Sequence, residues 1–595
     1  MKTILFRLLL LSSLCLWTSL HAQDAALYNQ AKVNAFNDSI VPGTVHINGH
    51  DITDISPLLK LKHAGNLRIR GTSLTDLSGL DSLKTLTGKL EIDDNDDLTN
   101  IDALHNLETL NKLQIGRNEE LKNLNGLGGL HGGIDTIFLE RTDLTQIDSL
   151  MGLRGDVKVL DIRFNELINL DGLIGITGAE EMYIYESKLL SIDGLYNLRN
   201  SRIVDLRLVD IFSLSALAQL DVTESIYVNI TGLHRLDAFY PVRQLASLSI
   251  TNCHYLSDFS GLDSLRSVDH LFLNDVMIYT TDVLDVSGLN QLSGSISEVI
   301  ISGVKDLRDM SIFDDVASIH DLRLDGNDGL QSLNGLDSLK NLDKLSIEAC
   351  GISSLQGFPA AEDSLALLFL QRLPNLESLE GLEGVQKLDV QYSLKAKLNL
   401  ERLGILNVDA LSGLSGRYGG LLKIINNEDL QNLDGLAGIS EIGYGVHIQG
   451  NSALDSCCVL KNLLPGLDFW NIEENKPSCS RNEILKPEGV CYGGSLGGPD
   501  PDPAPGIIPD NYAITQLRPN PTEGEIVLQY ASPEEEVIQV RIMDVSGRLV
   551  MNPQSLPSLK GIGETSLDLS RLNPGLYFIQ MLAPELGKVH KLILY

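Results

Sequence analysis

Leu90-Glu-Ile92-Asp-Asp-Asn95-Asp-Asp-Leu98 is followed by Leu113-Gln-Ile115-Gly-Arg-Asn118-Glu-Glu-Leu121, and the frame returns as Leu322-Arg-Leu324-Asp-Gly-Asn327-Asp-Gly-Leu330. The shared pattern is L-x-I/L-x-x-N-x-x-L-x-x-L-x-G-L-x-x-L. Anchors of its L-x-I pair read at Val45, Leu67, Leu90, Leu113, Ile137, Leu160, Met182, Leu206, Ile226, Leu248, Leu271, Val299, Leu322, Leu345, Leu368, Leu388, Leu422 and Val446. Most spacings are 22 to 24 residues. The steps from Leu271 to Val299 and from Leu388 to Leu422 are longer, and the second hides a degenerate repeat. Alternation within L-x-I is the period of a strand with one buried face. One such strand cannot bury its apolar side alone, so neighbouring repeats must stack and merge their leucines into one core.

Asn95, Asn118, Asn165, Asn327, Asn427 and Asn451 follow the strand where the chain turns. A side-chain amide there satisfies backbone groups of its own and the adjacent coil. The Gly-Leu-x-x-Leu half, as in Gly79-Leu80-Asp-Ser-Leu83 and Gly335-Leu336-Asp-Ser-Leu339, returns the chain with a spacing that suits one helical or 3₁₀ turn. This frame resembles the leucine-rich repeat. The first repeat, Ile47-Asn-Gly-His-Asp-Ile52-Thr-Asp-Ile55-Ser-Pro-Leu58, is similar to the repeats of bacterial internalins. The expected fold is an α/β leucine-rich repeat solenoid over 45–452, with a parallel β-sheet on the concave face and short helical or 3₁₀ turns on the convex face. About 18 strands at about 4.8 Å each give an inner arc on the order of 80 Å.

Residues 1–22 read as a secretory signal peptide: Lys2 and Arg7, an apolar stretch, then Leu20-His-Ala22 before Gln23. Leu14 is too large for the position before a lipoprotein cysteine at Cys15. No later stretch is apolar and long enough for a membrane span. Residues 23–44 form an N-terminal cap, in which 25–36 looks like a short amphipathic helix. Residues 493–510 are a Pro/Gly linker. Beyond it, over 511–595, the leucine period gives way to strand-like runs at 525–530, 537–543, 566–569, 575–582 and 588–594, a small Ig-like β-sandwich.

Four motifs punctuate that last domain: Arg518-Pro519-Asn520-Pro521-Thr-Glu-Gly524, Asp544-Val-Ser-Gly547-Arg-Leu-Val550, Leu572-Asn-Pro574-Gly575-Leu-Tyr577, and the basic, apolar Lys588-Val-His-Lys-Leu-Ile-Leu594. Their order resembles that of the type A C-terminal sorting domain of the type IX secretion system. The resemblance implies periplasmic transit, engagement of the type IX machinery, and export to the outer cell surface or the medium. Asp-Ser-Leu at Asp81, Asp148, Asp263, Asp337 and Asp363 resembles a bacterial O-glycosylation acceptor, although the convex-turn consensus explains the same residues.

Acidic residues number 79 against 46 basic ones, for a net charge of −33. No basic stripe serves a phosphate backbone, which excludes a nucleic-acid partner, and the acidity is that of a solvated exterior. Cys253 and Cys350 occupy the Asn position of their repeats, four coils apart. That is roughly 19 Å and too far for a disulfide, so both are expected as buried free thiols. Cys457, Cys458, Cys479 and Cys491 cluster after the last repeat, where an exposed solenoid end needs a cover. Two bridges are expected in a cap over 453–492, each joining one of Cys457 and Cys458 to one of Cys479 and Cys491.

Catalytic and metal motifs are missing from the sequence. Asp93–Asp97 and Asp325–Gly329 open like calcium loops, but Leu104 and Leu336 stand where the bidentate acid belongs. The glycine-rich stretch 126–133 lacks the Lys-Ser/Thr of a phosphate loop, and neither H-E-x-x-H nor G-x-S-x-G occurs. The reading is of a binding protein that is no enzyme and takes no cofactor and no metal. Its ligand site falls on strand positions that face outward: Phe138, Asp161, Arg163, Tyr183, Tyr185, Arg207, Tyr227 and Phe272. Exposed aromatics with arginine are the usual composition of protein-binding hot spots. A glycan is the alternative ligand, with Asn229 and Asn274 as polar contacts.

Overall fold

The structure, a computed structural model, describes residues 23–186, 188–276, 285–359, 364–388, 396–465, 467, 469–487, 491, 513–518, 525–536, 539–544, 548–551, 553–556, 559–572, 575–582 and 589–594. The proposed leader with Cys15, the linker 493–510, and Pro519, Asn520, Pro521, Gly524, Gly547 and Pro574 of the sorting motifs lie outside these residues.

The chain divides into two compact units. In the first, parallel strands stack in register from Ala25–Leu27 to Ala396–Leu403. Val45 pairs with Leu67, Leu67 with Leu90, Leu90 with Leu113 and Leu113 with Ile137, so each L-x-I pair lies above the next. The paired leucines and isoleucines are fully buried. Return turns are 3₁₀ segments such as Asp102–Leu104, Asp171–Leu173 and Asp193–Leu195. Each of these three starts where a side chain two residues upstream accepts a backbone N–H, as Asn169 does from Asp171 at 3.0 Å. The recurrent glycine follows from packing. A Cβ on Gly172 would overlap the carbonyl oxygen of Ile147 in the preceding coil.

Between strand and return the backbone bends through a left-handed residue, among them Asp94 (φ 63°), Arg117 (48°) and Phe164 (56°). The asparagines hold this bend. Asn118 accepts from the backbone N–H and the side-chain amide of Asn95, both at 3.1 Å. It donates to the carbonyls of Ile92 (3.0 Å) and Gly116 (2.7 Å). Asn95 repeats the arrangement toward Thr72 and Ile69. Cys253 and Cys350 fill the same position as free, buried thiols. Each donates to the carbonyl two residues before it, Thr251 at 3.4 Å and Glu348 at 3.3 Å.

Several sequence expectations require correction. Residues 25–36 are not one helix: Ala25–Leu27 is a strand paired with Val45–Ile47, and only Gln30–Asn34 is helical. The eighth anchor is Val204 and not Leu206, because Met182 pairs with Val204 and Val204 with Ile226. The run Val204-Asp-Leu206-Arg-Leu208 has three buried alternating residues, so the pattern admits two frames and register decides. Leu388 is no anchor. Lys387–Leu388 pairs with Ser364–Leu365 in a separate two-stranded sheet, while Leu368 pairs directly with Leu398.

In the second unit Gly445–Gln449 pairs in parallel with Phe469–Glu473, aligning Val446 with Trp470. Trp470-Asn-Ile472-Glu-Glu-Asn475 is therefore a further repeat beyond residue 452. Asn475 accepts from Asn451 and donates to Ile448 O at 2.9 Å. Disulfides join Cys457 to Cys479 and Cys458 to Cys491, with Cα separations of 5.4 and 5.0 Å. The C-terminal residues form two antiparallel sheets. One contains Ala513–Arg518, Glu525–Glu536 and Leu559–Asp568; the other contains Gln554–Ser555, Gln539–Asp544, Gly575–Leu582 and Val589–Leu594. Ile526, Leu528 and Leu567 of one sheet share a core with Val540, Ile542 and Ile579 of the other. The strand at 513–518 and the extension of 566–569 back to Leu559 were not expected from the sequence.

Replacing Asn118 by Ala leaves buried groups of Asn95 and Ile92 without partners. Each such group costs about 1–3 kcal/mol. The thermal midpoint, followed by circular dichroism, is expected to fall clearly for Asn118→Ala and to stay unchanged for Glu119→Ala at the exposed neighbouring position.

Candidate functional site

The coils anchored at Leu160, Met182, Val204 and Ile226 depart from the consensus. From Leu160 on they are 22 residues apart, and after Asn165 they carry no asparagine at the bend position of the repeat. Strands Ile176–Glu186 and Asp221–Ile230 run one residue further, filling the turn interior with the buried side chains of Glu186 and Ile230; Leu208 does the same between them. Glu186 is the joint between the two regimes. Its carboxylate replaces the missing amide, accepting the Asn165 backbone N–H at 3.0 and 3.1 Å and the Asn165 amide at 2.8 Å. Its strand partner on the other side is Leu208, which offers only a methyl surface. Burial pushes the Glu186 carboxyl up to about 7, against the hydrogen bonds from Asn165.

On the outer face of the same strands, register places Phe138, Asp161, Tyr183, Asp205, Tyr227, Ser249 and Phe272 in one row. Aromatic rings thus recur on every second strand, about 10 Å apart, separated by an acid or a serine. In the next row the Tyr185 ring lies between two guanidinium groups, Arg163 at 4.5 Å and Arg207 at 4.4 Å, and Arg163 also covers Tyr183 at 5.1 Å. Asp161 holds Arg163 Nε at 2.5 Å, and Asp205 holds Arg207 Nε at 3.1 Å. The Tyr185 hydroxyl donates to Asp205 at 2.6 Å. Burial, reinforced by Asp205, pushes the Tyr185 phenol up to about 12. Burial and Glu181 raise that of Tyr183.

Asp161 is a counter-ion to Arg163 and not a contact residue: it is 7% exposed, and desolvation outweighs Arg163 in raising its pKa. Phe138, Arg163, Tyr183, Tyr185, Tyr227 and Phe272 are half-buried and Arg207 is exposed. Sequence reasoning missed Asp205, because the Leu206 frame hid it.

It also missed the row at the sheet edge. Backbone hydrogen bonds stack Ile168 on Thr145, Leu190 on Ile168, His234 on Phe212 and Ser257 on His234. Ile168, Leu190 and Phe212 are 49%, 68% and 64% exposed, whereas earlier coils place Thr75, Thr99, Lys122 and Thr145 in this row. Phe212 and Tyr255 each lie 5.8 Å from the His234 ring, and Phe164 meets Tyr185 edge-on at 6.4 Å. Reading the residue after each buried Leu189- or Ile211-type position would have revealed this row. Among the described residues no group of three or more His, Cys, Asp or Glu is placed to hold a metal.

In the C-terminal sandwich, Asp544 pairs across the sheet with Tyr577 and accepts the Arg548 backbone N–H at 3.1 Å, so two of the sequence motifs meet. Residues 516–595 match the family described as the secretion system C-terminal sorting domain. This part of the chain is a sorting domain. It belongs to type IX secretion and directs the protein to the cell surface or the extracellular space. No described helix is long and apolar enough to cross a membrane. No curated protein matches the chain. Among solved structures, an internalin (inlF) from Listeria monocytogenes is 14% identical, aligned over 72% of this chain and 88% of that chain with a TM-score of 0.27. The leucine-rich repeat fold stands on the strand register, the 3₁₀ returns and the asparagine ladder.

Glu186 generates a pH prediction. Its folded-state pKa lies above the ordinary 4.5, so its contribution to stability is full below that value and lost as pH rises through about 7. The difference corresponds to on the order of 3 kcal/mol. Glu186→Gln is expected to raise stability toward denaturant at about pH 8, with the gain shrinking toward zero below about pH 4.5. A variant no more stable than the parent at alkaline pH overturns this account.

Proposed function

We propose that this protein is a secreted, non-enzymatic binding protein whose central coils, from Ile137 to Leu248, engage a protein partner at the cell surface. The observation that carries this reading is the exposed apolar row of Ile168, Leu190 and Phe212 beside the Arg163–Tyr185–Arg207 stack. A contiguous exposed apolar patch on a soluble domain marks an interaction site, and tyrosine with arginine dominates protein-binding hot spots. The composition there departs from the polar residues of the neighbouring coils, while the fold itself requires no apolar side chain in that row. The perturbed carboxylates Glu186 and Asp161 have structural partners in Asn165 and Arg163, which supports a role without catalysis.

The glycan reading has less support. A sugar would stack on an open ring face, and the Tyr185 ring is flanked by Arg163 and Arg207. Phe138 and Tyr227 are the rings of that row left to such a ligand, since Phe272 stacks on His270 at 6.3 Å.

The test is a capture experiment with the full chain, displayed by its native secretion route and screened against candidate surface proteins. A partner is expected whose affinity drops at least about tenfold in Leu190→Ser/Phe212→Ser and again in Tyr183→Ser/Tyr185→Ser/Tyr227→Ser. A partner bound equally well by both variants overturns the proposed surface. Separately, deleting residues 516–595 is expected to abolish delivery to the surface and medium, with the truncated chain recovered from the periplasmic fraction. Recovery of the truncated chain outside the cell would refute dependence on the sorting domain.

A further inference from the structure

The N-terminal end of the sheet carries a second feature, independent of the central coils. A cavity of about 200 Å³ opens there, lined by Tyr28, His46, Ile47, Asn48, Arg68 and Arg70. Two nearly buried acids lie beside it, and each is served twice over. Glu91 pairs with Arg68 at 2.7 Å and with Lys89. Asp93 pairs with Arg70 at 3.4 Å and with Arg117. Burial alone would raise the Glu91 carboxyl, but hydrogen bonds from Lys89 and Arg68 hold it below the usual range.

One cation per acid is enough to compensate a buried carboxylate. Lys89 bonds one oxygen of Glu91 and Arg68 Nε the other, and Asp93 is shared by Arg70 and Arg117, so four cations meet two acids and the two arginines that line the cavity leave it a positive excess. Their positive excess is local, in a chain of net charge −33. It acts over about a Debye length, roughly 8–10 Å, and is offset in part by Asp24, 3.9 Å from the cavity-lining His46.

We propose that this cavity binds an acidic sugar unit of a carboxylate-bearing polysaccharide. Arg68 and Arg70 stand two residues apart on one strand, about 7 Å along it, and their planar forks match carboxylate geometry. Tyr28, half exposed, holds Lys32 at 5.5 Å from its ring centroid, a further cation beside the cavity, and Asn48 supplies an amide for hydroxyl groups. The volume lies below the about 300–1,000 Å³ of clefts for drug-sized ligands, so one ring occupies it. In register, Arg68 and Arg70 face Glu91 and Asp93 on the next coil, which confines the cationic charge to the cavity and suits a single acidic unit.

The test is calorimetric titration of the purified full chain with oligogalacturonate, beside the neutral oligosaccharide of equal length, inorganic sulfate and a single-stranded oligonucleotide. Oligogalacturonate is expected to bind with an affinity that weakens with added salt, and the neutral sugar is expected not to bind. Arg70→Gln is expected to weaken binding about tenfold or more, with Asp93 still paired by Arg117 and the fold intact by circular dichroism. Tyr28→Ser, at a surface position, is expected to weaken it several-fold without a change in thermal midpoint. The central variant Tyr183→Ser/Tyr185→Ser is expected to bind as the parent does, which separates this site from the protein-binding surface. No uronate binding at millimolar concentration, binding unaffected by Arg70→Gln and Tyr28→Ser, or equal binding of sulfate or the oligonucleotide would overturn the proposal.

Discussion

Every coil of this solenoid makes one turn that its own residues cannot satisfy. Where the strand ends and the chain bends back, backbone N–H and carbonyl groups point into the interior, away from water. An unpartnered buried group costs about 1–3 kcal/mol, at least as much as a hydrogen bond contributes. The asparagine side chain meets this need because it donates and accepts at once, and it does so toward the coil before it as well as within its own. Thr72, Asn95 and Asn118 form one continuous chain of such bonds. The leucine core is non-directional and would tolerate a slipped coil; the ladder is not and would not. The ladder reinforces the register that the paired strands set, and holds the left-handed residues at the bend.

The central coils satisfy the same requirement by other means. They shorten the bend by one residue, extend the strand inward and fill the interior with Leu208 and Ile230, leaving Glu186 to terminate the amide ladder. A region that gives up the consensus solution carries a stability cost, and such departures concentrate where function competes with folding. Here the departure coincides with the exposed apolar row and the arginine–tyrosine stack. The shortened bend also alters which side chains reach the sheet edge in these coils.

The repeat frame made most of the fold readable, because L-x-I, Asn and Gly-Leu each answer a separate physical demand. Misreadings arose where one pattern served two frames. Val204, Leu206 and Leu208 are all buried, so hydrophobicity alone could not choose the anchor, and Asp205 was hidden as a result. Leu388 sat at a plausible spacing, but the strand that pairs with Leu368 carries Leu398. Residues 25–36 have helical composition, yet the open edge of the sheet draws Ala25–Leu27 into a strand. The outward aromatic positions were legible from alternation. Their covering by Arg163 and Arg207 was not, since it joins residues on three different coils. Arg68 and Arg70 went unnoticed because their surplus becomes visible only when each buried acid is matched with its cations.

The two unpaired thiols set a timing condition on biogenesis. Cys253 and Cys350 are sealed in the interior with their pKa values pushed up to about 11, so once folded they yield almost no thiolate. Before folding they are as oxidisable as the four cysteines of the cap, in a compartment that forms disulfides. Both precede the cap cysteines in the chain by about a hundred residues or more, and solenoid coils form from contacts with their immediate neighbours. Coils that close in order of emergence hide these thiols before Cys457 to Cys491 arrive, and the correct pairs are then selected by sequestration of the wrong ones.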